Sequence, residues 1–585
     1  MNPDEINEVL DCSDDDIFSS DDGFSVFDDT DDDPDFQIGL NDSTHSIDNS
    51  GSDFESNFNL LDSNKETPQP PDSSTPTIQT PVFQGSNIRV TSTVQDYGDN
   101  IIWSDIMQSN NLVYNPTGQV VGINPDLIEC LTNGRPYDFY SIFVDDTIID
   151  MLVLETNRYA SQLISTPHKS KSRLTRWENV TKKEMLTFLG ICMWMGLTTF
   201  PSIASYWSKK LTYQSSIPQY MCRNRFELLL RTFHCSNNVE CPKGDRLFKV
   251  RDLIDSLVDK YKCAMIPEEH MCIDESIIPF VGRLSFRQYI KNKHHRYGIK
   301  IFKLCIQDAY TIGFRVYTGR EAEPGVEVST KIVMEMSEEY LDFGRTLYTD
   351  NWYTSINLAH KLLSRSTNLV GTLRANRKHN PQDVVKHKLK KGEIVAQKSN
   401  TGILILKWKD KRDVLMLSTK HEDNIRQIQT KIGTEVGKPE VVLDYNRGKG
   451  LVDVSDLRSS YHTPLRRSMK WYRKVAFEVL LNTSVINALI LYNKVNNCNM
   501  SVTEFRESII LSMIEKPATE IENIEMHSIV EKTTRNRCAI CYQKLVLKEG
   551  RAYAQSKTKK VRTMCSACDK FYCVDLCFVV CIYLL

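Results

Sequence analysis

The chain has 585 residues, 41% hydrophobic and 25% charged, with 72 basic groups against 75 acidic ones. That composition excludes a collagen, a wholly disordered chain and a small disulfide scaffold, and at about 150 residues per domain the length calls for several units. The near-neutral balance hides an asymmetry: residues 1–66 hold 21 acidic residues and one base, Lys65, so the remaining 519 carry 71 bases and 54 acids. An acidic tail on a basic body is the pattern of a protein that meets a polyanion.

Residues 1–100 read as a disordered acidic leader, too charged and too rich in Pro, Ser and Thr to bury a core. Phe18, Phe24, Phe27 and Phe36 interrupt the acids. A docking segment, a polyanion mimic and a solubilising tail all fit that pattern. No basic, then apolar stretch opens the chain, so no secretory signal is expected.

Residues 130–262 have helical periodicity. Asp145-Asp146-Thr147 precedes an apolar face of Ile148, Met151, Leu152 and Tyr159, and Thr181 with Glu184 reads as a capping box. Arg223, Arg225 and Arg231 fall on a further helix. Near 270 the pattern turns to strands: MCIDESIIPF, YGIKIFKLCIQ and GFRVYTGR, with a turn at Asp308-Ala309-Tyr310, then RTLYTDNWY as a fourth strand and a helix to Leu363. Residues 376–440 are Lys-rich around a hairpin, and helices return over 451–515, the last with a second capping box at Ser501 and Glu504. The apolar run Val475 to Asn493 contains Glu478, Asn482 and Asn487 and reads as a buried helix, not a membrane span.

Four acids stand where rigid elements end or begin. Asp274 lies inside an apolar strand, Asp350 ends one, and Asp453 and Asp456 share a helix face three residues apart. Taken singly, each could cap a turn or a helix. Three converging carboxylates would suit hard divalent cations, and two such ions serve phosphodiester displacement. Two base-rich, acid-free segments follow these acids. Residues 281–300 carry Arg283, Arg287, Lys291, Lys293, Arg296 and Lys300; residues 462–474 carry Arg466, Arg467, Lys470, Arg473 and Lys474. Such bases beside a metal site are expected for a phosphate-backbone substrate, and either run alone could be a solvated face.

At these residues the chain resembles piggyBac-type transposases. Asp274-Glu275-Ser276 with Gly282-Arg283, Tyr289 to Lys293 and Tyr297-Gly298 to Lys300 is similar to the first catalytic block. Thr349 to Ser355 and Gly371 to Arg377 resemble the second, and Asp444-Tyr445-Asn446 with Lys449-Gly450, Val452, Asp453 and Asp456 the third. The resemblance runs from about 130 onward and is nearest to transposable-element-derived members. It implies an α/β, RNase H-like catalytic domain (263–375 and 441–457) interrupted by an inserted subdomain (376–440). Helical dimerisation and DNA-binding segments (130–262 and 458–530) would flank it. It further implies Asp274, Asp350 and Asp453 as ligands of Mg2+ or Mn2+, Asp456 as a further acid needed for activity, and Arg374 and Arg377 among the DNA-binding groups. A nuclear homodimer acting on double-stranded DNA, with strand transfer at TTAA through hairpin intermediates and no membrane, is what the family would predict. A domesticated DNA-binding or chromatin-interaction protein without transposition is the alternative.

The C-terminal residues 535–585 hold seven of the 17 cysteines: Cys538, Cys541, Cys565, Cys568, Cys573, Cys577 and Cys581. Two Cys-x-x-Cys pairs are a zinc signal, since each offers two thiolates to one tetrahedral ion. One zinc takes four ligands and two would need eight. The family's tail resembles a cross-brace finger with a His near its end, whereas here Cys581 stands and no histidine follows His527.

Overall fold

The computed structural model describes residues 101–105, 112–118, 120–165, 172–290, 296–319, 327–429, 435–466, 469–514, 529–565 and 570–573. The expected acidic leader, Lys291, Lys293, Arg467, Cys568, Cys577 and Cys581 lie outside them. The described residues divide into two compact units: those within 101–124, 261–456 and 469–474 form one, and those within 125–260, 457–466 and 475–573 form the other.

The first unit is built on a ten-stranded mixed sheet. Its strands are β1 (Trp103–Ser104), β2 (His270–Pro279), β3 (Gln288–Tyr289), β4 (Tyr297–Cys305), β5 (Thr311–Val316), β6 (Thr346–Thr349), β7 (Asn368–Thr372), β8 (Ile394–Ser399), β9 (Leu404–Lys409) and β10 (Asp413–Ser418). The spatial order is β1-β8-β9-β10-β7-β6-β2-β4-β3, with β5 also on the outer side of β4. Antiparallel pairs join β2 to β4 and β4 to β5. In contrast, β6 runs parallel to β2, and β7 parallel to β6. The parallel strands are buried throughout β6 and over most of β7, as expected where both faces are covered. At the turn between β4 and β5, Asp308 and Ala309 take φ of 59° and 66°, the left-handed conformation that Asp tolerates better than most residues. Segment 376–440, read as an insert, contributes the β8-β9-β10 meander, which continues the sheet through the β10–β7 pairing.

Four helices complete what the site needs: α1 (Val328–Ser337), α2 (Ile356–Leu363), α3 (Glu440–Gly448) and α4 (Leu451–Ser460). The link from β6 to parallel β7 passes through α2, whose start is capped by Ser355 accepting from Leu358 N at 3.1 Å. Val441, Val442 and Tyr445 of α3 and Val452 of α4 join Cys272, Cys305, Tyr348, Val370, Leu406 and Trp408 in one buried cluster. Gly448 is required there: an added Cβ would lie 2.3 Å from the Tyr348 ring.

The second unit is helical, with Asp146–Ser165, Lys182–Leu197, Arg223–Thr232 and Val502–Met513 among its helices. Ser501 and Glu504 form both halves of the expected capping box. Thr181 and Glu184 form only one. The Thr181 hydroxyl accepts from Glu184 N, but the Glu184 carboxylate is taken by Arg225 in a two-pronged pair at 2.6 and 2.7 Å. A planar guanidinium fork is the stronger partner than a single backbone N–H. The helix Trp471–Val495 is long and apolar enough to cross a membrane, yet 94% of its most apolar stretch is buried inside the protein, as a core helix is. After residue 528 a small hairpin, β11 (Ile529–Arg537) with β12 (Lys560–Cys565), encloses two short helices.

Candidate active site

Asp274 sits in the middle of β2, and Asp350 follows directly on β6, its parallel neighbour. The two carboxylates are therefore delivered by adjacent strands of one sheet. A carboxylate oxygen from each of Asp274, Glu275 and Asp350 lies within 4.8 Å of the other two. All three residues are half-buried. Burial, then Asp350, Glu275 and Asp453, push the Asp274 carboxyl well above the usual carboxylate range, against the pull of Glu275 N–H donating to Asp274 Oδ1 at 2.7 Å. Asp350 is raised to about 6 by burial and then by Glu275. The N–H groups of Trp352 and Tyr353, donating to its Oδ1 at 2.8 and 3.4 Å, partly offset this, as does Arg374. Such crowding makes it costly for Asp274 and Asp350 to ionise together without a cation between them.

The Asp350 loop is held from behind. Thr354 donates to Asp350 O at 2.7 Å and shares a hydrogen bond with Thr349 at 2.8 Å. Gly371 of β7 passes so close that a Cβ would meet Thr354 Oγ1 at 2.2 Å and Thr349 O at 2.6 Å. Arg374 Nε donates to Asn351 Oδ1 at 3.0 Å, and Arg377 reaches Glu327 and the Trp352 carbonyl.

Asp453 and Asp456 both lie on α4, as expected. Asp453 is on the exposed flank, close enough to raise Asp274 but outside the tight carboxylate trio. Asp456 is turned toward the sheet, where Lys303 Nζ donates to its Oδ1 at 2.7 Å. Glu275, not Asp453, is thus the third carboxylate in the closest cluster. Strict alternation sends strand neighbours to opposite faces, which is why Glu275 is not expected beside Asp274. Its side chain nonetheless brings an oxygen to the same point. Glu275 also accepts from Lys300 Nζ at 2.8 Å. That ammonium lies 4.8 and 4.7 Å from the centres of the stacked Phe302 and Trp352 rings, an arrangement of cation over π-faces.

The expected DNA-binding bases divide. Arg283 and Arg296 are exposed, Lys470 half-buried. Arg287 donates to the Val281 and Gly282 carbonyls and covers the Tyr297 ring. Lys474 is buried and donates to the Pro279 carbonyl; Arg473, also buried, covers Tyr472. In the second unit Arg466 is bound to Met195 O, Phe200 O and the Tyr206 hydroxyl. Base-rich sequence alone does not separate such inward cations from those that face solvent.

In the Cys-rich module, sulfurs of Cys538, Cys541 and Cys573 lie within 4.8 Å of one another, and Cys565 is buried beside Cys538 and Tyr572. Burial and the Cys538 and Cys541 thiols push Cys573 up to about 11. Three converging sulfurs of this kind fit a thiolate-loving ion such as zinc.

A family model described as Transposase IS4 matches residues 135–489, more than half of the chain. The chain belongs to the piggyBac-type transposase family. It is 25% identical over 448 residues to the human PiggyBac transposable element-derived protein 3, covering 70% of this chain and 72% of that protein. To the human PiggyBac transposable element-derived protein 2 it is 24% identical over 447 residues, with the same two coverages. Its fold matches a piggyBac transposase solved by cryo-EM as a synaptic complex with hairpin DNA, with a TM-score of 0.62 and 24% identity, over 78% of this chain and 98% of the other.

Proposed function

We propose that this piggyBac-family protein cuts and joins DNA strands in a divalent-metal-dependent reaction, with Asp274, Asp350 and Asp453 as the metal-holding acids. The observation that carries the reading is the meeting of the Asp274 carboxylate, from the middle of β2, with that of Asp350, just past the end of the adjacent parallel strand β6, both held above their ordinary ionisation range. The order β5-β4-β2-β6-β7, with the last two parallel to β2, supports the RNase H-like description of the domain.

The donor set is all oxygen, so Mg2+ or Mn2+ fits it better than a soft ion. When bound, such ions supply a more acidic attacking water or 3′-hydroxyl and charge stabilisation at the departing oxygen. The chain's own groups do the rest. Asp274 and Asp350 are kept rigid by β2 and by the Thr354–Gly371 packing, so they are placed before substrate arrives. Asp453 approaches from α4. Exposed Arg283 and Arg296 draw in the phosphate backbone and hold its register without reading sequence. Lys300, beside Glu275, adds positive charge next to the carboxylates. The fuller form of the proposal is a homodimer that acts in the nucleus on duplex ends, integrates at TTAA and carries structural zinc in its Cys-rich module.

Two human relatives named as transposable element-derived favour a second reading, DNA binding without transposition. A Mg2+-dependent cleavage assay on hairpin-forming end DNA separates the two. Wild type should nick and Asp274→Ala should not. Equal inertness of both, with DNA binding intact, would leave the second reading standing.

A further inference from the structure

The inward surface of α4 is a three-residue spacing. Val452 enters the apolar cluster under the sheet, Ser455 Oγ lies 3.0 Å from Thr311 Oγ1 of β5, and Asp456 Oδ1 accepts from Lys303 Nζ of β4 at 2.7 Å. Positions i, i+3 and i+4 share one helix face, so these three contacts act together to seat the helix on the strands. Asp453, next to Val452, is left on the flank.

Lys303 is the unusual member. Its side chain is 1% exposed, whereas that of Asp456 is 32% exposed. Lys303 is also the direct cross-strand partner of Asp274, so both project from the same sheet face. An ammonium buried to that degree needs a counter-charge, and a carboxylate that supplies it is committed.

Resting on the metal-dependent reading above, we propose that Asp456 is a positioning residue, not a metal ligand: it neutralises buried Lys303 and thereby holds α4 at the distance that presents Asp453 to Asp274. The two acids of α4 thus have different tasks despite their shared spacing.

The asymmetry of burial makes this testable by epistasis. Removing Asp456 takes from a buried ammonium the carboxylate it donates to, whereas removing Lys303 leaves a carboxylate that water can still reach. Removing both costs less than removing Asp456 alone, as replacement of a whole buried pair by apolar groups does. The full chain is compared as wild type, Asp456→Asn, Lys303→Met and the double variant. Cleavage of end DNA is one readout, and binding of Mn2+ with that DNA present, followed by the EPR signal of free Mn2+, is the other.

Asp456→Asn should lose at least about tenfold in both readouts, and the double variant should return to within about threefold of Lys303→Met. Failure of Asp456→Asn to fold, with the double variant folding, supports the same conclusion. A double variant as defective as Asp456→Asn gives the carboxylate a task of its own and overturns the proposal. So does an Asp456→Asn chain that matches wild type, or a double variant that does not fold. Wild type that binds Mn2+ without cleaving sinks the strand-cleavage reading, and the Mn2+ series then decides this inference alone. Wild type that binds no Mn2+ overturns both.

Discussion

Replacing Asp350 by Asn should stabilise the metal-free protein at neutral and alkaline pH, and do so only there. The Asp350 carboxyl is moved from its ordinary 3.8 to about 6 by burial and by Glu275. A folded-state pKa above the unfolded one means that the native protein holds the proton more tightly. Below about pH 4 both states are protonated and nothing is lost; as pH rises through 6 the native state must ionise a crowded acid, and stability falls. The full difference is worth roughly 3 kcal/mol at 1.4 kcal/mol per tenfold, an upper bound that solvent around a half-buried group reduces to about 1–2 kcal/mol. Asn keeps the oxygen that accepts from Trp352 and Tyr353 N–H, so the loop loses little. A unit of this size should gain roughly 2–6 °C in melting temperature at pH 8 and nothing at pH 4. Thermal unfolding in chelator across that range measures it. Added Mg2+ should then raise wild type and leave Asp350→Asn almost unmoved. An Asn variant that is less stable at pH 8, or a difference that does not vary with pH, would refute the view of Asp274, Glu275 and Asp350 as one electrostatic cluster.

Three further outcomes are expected. Glu275→Gln removes a cluster oxygen's charge and the partner of Lys300, and should raise the Mg2+ needed for half-maximal cleavage about tenfold or more, read from a metal titration. Gly448→Ala drives a methyl into the Tyr348 ring and should cost about 1–3 kcal/mol by denaturant unfolding, whereas Gly450→Ala, where a Cβ meets nothing within 4 Å, should not. Cys541→Ser should abolish stoichiometric zinc in the purified protein, measured by elemental analysis, and should lower protease resistance after residue 528.

Much of the site was legible from the chain alone because its residue types carry their own cost. An Asp inside Cys-Ile-Asp-Glu-Ser-Ile-Ile is unfavourable unless something is built around it, and so Asp274 announced itself. Asp350 did so by ending a strand. Strand and helix periods also placed β2, β4, β5 and β6, and the Ser501 capping box, close to where they stand. What periodicity could not rank was the competition among charged groups for partners. Glu184 could have capped its own helix, but Arg225 offered the better geometry. Among the basic segments, Lys474 and Arg473 turned inward while Arg283 and Arg296 stayed out.

The sequence by itself determined the acids at 274, 350, 453 and 456, the family the chain belongs to, and the succession of helical and extended segments. These follow from local propensity and from residue types that are expensive in any other setting. Only the tertiary structure decided that Glu275 reaches Asp274 and Asp350, that Asp456 faces Lys303 while Asp453 stays on the exposed flank of α4, and that residues 394–418 extend the main sheet. Those outcomes depend on which distant strands pair and on how much water each charge retains, and both are set by the assembled core rather than by neighbours in the chain.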